Sequence, residues 1–128
     1  MKKGKDSDRT LTEVELELMT ILWRLTEGTV NDVIAQLPNN RRLAYTSVST
    51  ILRILEQKGV LQTRKEGRGH IYVPQLKKAD YEATTVQNVV ERVFDGAPVA
   101  LVKQLLDHVD ERTLREIKEL IQNSGGKK

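Results

Sequence analysis

Thr46, Ser49, Thr50, Arg53 and Gln57 recur at the spacing of one helix face. Their chemistry is hydrogen bonding to a polar or anionic surface. Hydroxyls donate and accept, and an arginine fork can make paired bonds to a guanine edge or grip a phosphate. Threonine and serine are mediocre helix formers, so propensity does not explain them. The face also lacks the Glu/Lys pairs of a merely solvated helix. Small polar side chains suit a place where another surface must come close. Thr46, Ser47, Ser49, Thr50 and Arg53 are therefore candidate DNA contacts, with plain surface as the alternative for the hydroxyls. Tyr45, just before them, either touches a phosphate or packs. Arg41 and Arg42 either reach the DNA backbone from the preceding loop or are solvated. Arg64, Lys65 and Arg68 form a second basic group, suited to gripping phosphate.

Charge is distributed to match. The 128-residue chain carries +3 overall. Residues 41–70 hold seven basic side chains (Arg41, Arg42, Arg53, Lys58, Arg64, Lys65, Arg68) against two acidic ones (Glu56, Glu66), a local +5. Residues 1–40 sum to −2 and residues 71–128 to zero. A basic excess confined to thirty residues is the footprint of a polyanion site.

Other chemistry lacks its parts. There is no cysteine, so no disulfide, thiolate nucleophile or thiolate metal site. No HExxH and no glycine-rich phosphate loop occur, which argues against an enzyme. His70 and His108 fall on different elements without companion ligands, so neither a metal nor a cofactor is expected. No apolar run approaches the ~20 residues of a membrane span, and Met1 to Thr10 lacks the apolar stretch of a secretory signal. A cytoplasmic location is expected.

Helices must position the polar face. At 38% hydrophobic and 4% aromatic residues, the core has to be built mainly of Leu, Ile and Val. Residues 1–10 are polar and read as a disordered tail. Thr12-Glu13-Val14-Glu15 is a capping box opening a helix over about 12–25. Its apolar residues form two stripes, so it should be central, and Glu27-Gly28 should end it. Thr29 with Asp32 caps a short second helix, broken by Pro38. A third helix, from about Tyr45 to Lys58, turns Val48, Ile51, Leu52 and Leu55 inward, with Gly59 closing it. Two strands follow around Glu66-Gly67-Arg68-Gly69, where Gly67 and Gly69 would supply positive φ, and Pro74 ends the second. Helices are then expected from Ala79 to Phe94, from Pro98 to about Asp107 and after Asp110, with 124–128 frayed.

Three helices and a hairpin with a basic tip, within residues 11–76, are the order of a winged helix-turn-helix, whose third helix enters the major groove. The fold class is mostly α with a small β-hairpin wing, followed by a helical dimerisation domain over 77–123. That second domain is too short to bury its own Val and Leu, so it must fold back on the first domain or, as the better reading, dimerise. Val90, Phe94, Leu101, Val102, Leu105, Leu106, Leu114, Ile117, Leu120 and Ile121 are its expected dimer contacts. A two-fold dimer would read an inverted repeat. The alternatives are a winged-helix protein-interaction scaffold and a non-specific DNA-binding protein.

Leu11 through Trp23 resembles the first helix of the BlaI/MecI/CopY family of bacterial repressors. Thr29 to Val33 is similar to its second helix, and Thr46 to Gly59 to its recognition helix. The wing, Tyr72-Val73-Pro74, and Phe94-Asp95-Gly96 followed by Leu101-Val102 also match, so the resemblance spans residues 10–122. It implies a homodimeric repressor that binds an operator of double-stranded DNA and controls genes such as those for β-lactamase or penicillin-binding protein. It further implies a membrane sensor protease that cleaves the dimerisation half. In the β-lactam branch the cleaved pair is Asn-Phe; the aligned residues here are Gln104 and Leu105. The copper branch uses a cysteine-rich C-terminus, which this chain lacks.

Overall fold

A computed structural model describes residues 10–125. Except for Thr10, the tail expected over residues 1–10 lies outside the described residues, as do 126–128 of the expected frayed end.

Helix α1 spans Glu13–Leu25. The Thr12 hydroxyl accepts from the Glu15 N–H at 3.1 Å, and Glu15 Oε1 accepts from the Thr12 N–H at 3.0 Å. This is the reciprocal capping box expected from the sequence. Helix α2, Val30–Ala35, repeats the device with Thr29 and Asp32. Helix α3 runs Tyr45–Gln57, and Gly59 follows it at φ +83°, the left-handed stop that glycine adopts without strain.

Two details differ from expectation. Helix α1 ends at Leu25, within the expected bounds, but Glu27-Gly28 is not what stops it. Its C-cap is Thr26, a β-branched residue at φ +74° whose N–H still donates to the Leu22 carbonyl. Such a residue is strained there. Thr26 is exposed, so Thr26→Gly gives up little packing. It should stabilise the fold by about 1 kcal/mol, raising Tm by a few degrees in a thermal melt. An unchanged or lower Tm would contradict that account.

Strands β1, Leu61–Glu66, and β2, Gly69–Pro74, pair antiparallel, from Leu61 opposite Pro74 to Glu66 opposite Gly69. The loop is Gly67-Arg68, with Gly67 at φ +62°. Positive φ at the first loop residue alone is the pattern of a type II′ turn. Gly69 therefore lies in the strand and does not supply the positive φ expected of it.

The core is aliphatic. Leu18, Met19 and Leu22 of α1, Val33 of α2, and Val48, Leu52 and Leu55 of α3 are fully buried, with Val60, Leu61 and Tyr72 closing it from the hairpin. Helix α1 packs on α2, α3 and β2, the central place its two stripes require. Trp23 is half-buried; its Nε1 donates to the Leu76 carbonyl at 2.9 Å, and its ring meets Tyr81 at 5.9 Å. Three helices and a hairpin on one core form the expected winged helix.

Helix α4, Lys78–Val93, follows, then α5, Pro98–Asp107, and α6, Glu111–Gly125. Pro98 occupies the first turn of α5, and Asp110 Oδ1 accepts from the Thr113 N–H to cap α6. Ser124 and Gly125, placed in the expected frayed end, fall within the span of α6. The chain divides into two compact units, one ending at Tyr81 and the other beginning at Glu82. In the second unit Val90 is the only buried hydrophobic side chain among the described residues. No helix among them is long and apolar enough to cross a membrane.

Candidate nucleic-acid interface

Helix α3 has one wholly apolar side and one polar side. Val48, Leu52 and Leu55 are buried, while Thr46, Ser47, Thr50 and Arg53 are exposed and Ser49 is half-exposed. None of these five polar side chains has an internal hydrogen-bond partner among the described residues. Thr46, Ser47, Thr50 and Ile51 line a shallow depression of about 350 Å³. Thr12 and Thr29 cap α1 and α2, but Ala44 precedes α3 and offers no side-chain cap. The first-turn N–H groups of α3 are thus left for water or an anion. Tyr45 stands beside them, 53% exposed, and does not pack into the core.

The cations sort into two groups. Arg42, Arg53, Lys65 and Arg68 are exposed and make no ion pair with any described residue. Arg41 is engaged: its Nε and Nη2 donate to Glu17 of α1 at 3.0–3.1 Å. Arg64 is engaged as well. Its Nη1 and Nη2 meet Glu27 Oε1 and Oε2 at 3.1 and 2.9 Å, and Nη2 reaches Glu66 at 3.2 Å. The hydrogen bonds from Arg64 hold the Glu27 carboxyl below its usual range, and Glu27 and Glu66 hold the guanidinium of Arg64 more firmly protonated. Arg41 and Arg64, two of the expected phosphate contacts, are thus ion-paired within the single chain. Both are held by carboxylates remote in sequence or on their own strand.

The wing is tied to α3. Thr63 of β1 donates to Glu56 Oε2 at 2.9 Å. Tyr72, opposite Thr63, is buried, and its hydroxyl is pushed to a higher pKa first by burial and then by Glu56, against a lowering by Arg53. That hydroxyl therefore lies within the field of the charged side chains of α3. The same register sets His70 opposite Lys65, both exposed. His70, weighed in the sequence only as a metal ligand, thus stands beside a wing cation. A two-residue loop at Gly67-Arg68 was the signal that would have paired them.

At the far end of α3, Lys58 Nζ donates to both oxygens of Glu15 at 2.8 and 2.9 Å. Glu15 is 7% exposed, so the cap of α1 also anchors the end of α3. Burial raises the Glu15 pKa, but the Lys58 hydrogen bond, the Thr12 N–H and the Lys58 charge outweigh it and leave it below its ordinary value.

In the second unit, Val102, Leu105, Leu106, Leu120 and Ile121 are exposed; Phe94, Leu101, Leu114 and Ile117 are half-buried; Val90 is already covered. Gln104 and Leu105 both lie exposed in the last turn of α5.

The sequence profile described as penicillinase repressor matches residues 11–123. The penicillinase repressor of Bacillus licheniformis is 30% identical over 112 residues, covering 88% of this chain and 87% of that protein. The transcriptional regulator BlaI of Mycobacterium tuberculosis is 38% identical over 65 residues, covering 50% of this chain and 47% of its own. Among solved structures, the DNA-binding domain of the repressor BlaI superposes with a TM-score of 0.51 at 32% identity, over 57% of this chain and 89% of that one. With the fold and the match over nearly its whole length in agreement, the chain belongs to the penicillinase repressor family, which is a family of transcriptional repressors and not of enzymes.

Proposed function

We propose that this protein represses transcription in the bacterial cytoplasm by binding an inverted-repeat DNA operator as a homodimer. The observation that carries the reading is the outer face of α3. Its hydroxyls and Arg53 are exposed or half-exposed and lack any internal partner among the described residues, while Val48, Leu52 and Leu55 of the opposite face are buried. Helix α3 would enter the major groove, with Arg53 and the hydroxyls at base edges and Arg42, Tyr45, Lys65 and Arg68 on phosphates. A scaffold would instead present an apolar or acidic surface there. The relatives named as repressors, one of them with a DNA-binding domain of the same fold, support the assignment.

Dimerisation is supported by the second unit, whose apolar side chains are mostly left uncovered in a single chain. Release by proteolysis would cut between Gln104 and Leu105. Both are exposed, but they lie within a helix, so α5 would have to open before a protease could take the bond in extended form.

Selection of bound fragments from a pool of random duplexes tests the reading. An enriched inverted repeat is expected. Binding without enrichment that vanishes at moderate salt would instead mark a non-specific binder. On the selected site, Arg53→Ala should cost about 1–3 kcal/mol of binding and relax preference at one base pair per half-site, without changing the dimer. Unaltered affinity in a gel-shift titration would remove Arg53 from the reading set.

A further inference from the structure

The wing carries three cations close together, and the structure treats them differently. Side chains alternate between the two faces of a strand. Leu61, Thr63 and Lys65 share one face of β1, and the register puts Tyr72 and His70 of β2 on that face with them. Thr63 bonds Glu56 of α3, so this is the face turned to the reading helix. Lys65 and His70 continue it beyond the core, both exposed. Gln62 and Arg64 share the opposite face.

On that opposite face Arg64 meets Glu27, in the loop between α1 and α2, through two parallel bonds of 3.1 and 2.9 Å. The next residue of that loop, Gly28, exchanges two backbone hydrogen bonds with Tyr72, at 3.1 and 2.8 Å. The loop is therefore clamped to both strands, by backbone to β2 and by a side-chain fork to β1. Were Arg64 to leave for a phosphate, Glu27 and Glu66 would stand unpaired beside a polyanion, a like-charge arrangement that opposes binding.

We infer that strand alternation divides the wing: Lys65 and His70, on the α3 side, meet the DNA backbone, and Arg64, on the reverse side, is a positioning residue that braces the wing against the α1–α2 loop through Glu27. The inference rests on the DNA-binding reading above and deepens it.

The test titrates the full chain with a long mixed-sequence duplex and with the selected operator at several salt concentrations. Four variants are compared: Arg64→Gln, Lys65→Gln, Glu27→Gln, and the exchange Glu27→Arg/Arg64→Glu. The exchange preserves net charge, and both positions are exposed, so folding is not at risk. For a brace, the exchange should hold affinity within about twofold of wild type, and Arg64→Gln should leave the salt slope unchanged. Lys65→Gln should lower the slope by about one phosphate contact. A slope lowered by Arg64→Gln, a tenfold loss on exchange, or tighter binding by Glu27→Gln would overturn the brace and make Arg64 a phosphate ligand. An unchanged slope for Lys65→Gln would overturn the division of the wing. If the wild-type chain itself shows no salt-dependent binding, the functional reading falls. If it binds and only the exchange fails, the inference alone falls.

Discussion

Replacing Leu120 and Ile121 by aspartate is expected to weaken operator binding roughly 10²–10⁴-fold, while each chain still folds and holds a half-site. Both side chains belong to α6 and are 65% and 60% exposed in the single chain, so their loss removes almost nothing from its own packing. With Val90 the only buried hydrophobic residue described beyond Glu82, the second unit has no core of its own to lose. In a dimer the same side chains would be covered, and two buried carboxylates per chain would oppose association strongly. The large effect on DNA comes from linkage. Once one recognition helix is seated, the second half-site is presented at a high effective concentration, and that advantage disappears when the chains separate. Sedimentation should register the change from two chains to one, and a duplex carrying a single half-site should bind variant and wild type alike. An intact dimer with unchanged operator affinity would put the interface elsewhere on the second unit.

Much of the first unit was legible because its signals are local. The two capping boxes, Thr12 with Glu15 and Thr29 with Asp32, announced the starts of α1 and α2 to the residue. Each hydroxyl and carboxylate needs only partners three positions away. The polar face of α3 was visible for the same reason, being a periodicity within one element. Thr26 was not legible, because nothing in its neighbourhood requires a threonine to take φ +74° when Gly28 lies two residues on. Gly28 is instead used for the close backbone pairing with Tyr72, a contact between residues 44 positions apart. The ion pairs of Arg41 and Arg64 were not legible for a related reason. Their carboxylates, Glu17 and Glu27, come from the first helix and the loop after it, and a count of charge along the chain cannot see a pairing across the fold. The +5 of residues 41–70 therefore overstates the charge the surface offers DNA. Three of its seven cations, Arg41, Lys58 and Arg64, are paired with carboxylates of the acidic first forty residues.

Lys58 is where that hidden pairing matters most for stability. Lys58→Met should lower the free energy of unfolding by about 2–3 kcal/mol at neutral pH, because it leaves the buried Glu15 carboxylate without its countercharge. The two bonds to Thr12 survive, which keeps the loss below that of a wholly stripped buried charge. The dependence on pH separates this from a packing effect. In the wild type Glu15 titrates below its ordinary value of 4.5, so its contribution is complete above that pH and is lost as pH falls through the lower folded value. Without Lys58, burial is opposed only by Thr12, and the Glu15 pKa should rise. The variant then regains stability relative to wild type as acid neutralises the stranded carboxylate, and the difference between the two proteins should shrink below about pH 4. Glu15→Gln supplies the control. It preserves a side chain able to close the capping box but carries no charge, so its stability should vary less with pH over the acid range than that of the wild type. Urea unfolding at pH 7 and pH 3 would measure all three. A Lys58→Met deficit of the same size at both values would show that the loss does not come from the ion pair. Because the pair joins the cap of α1 to the last turn of α3, the same substitution should also loosen the tilt of the reading helix. It should then weaken specific binding more than non-specific binding, since only base contacts depend on how α3 is aimed.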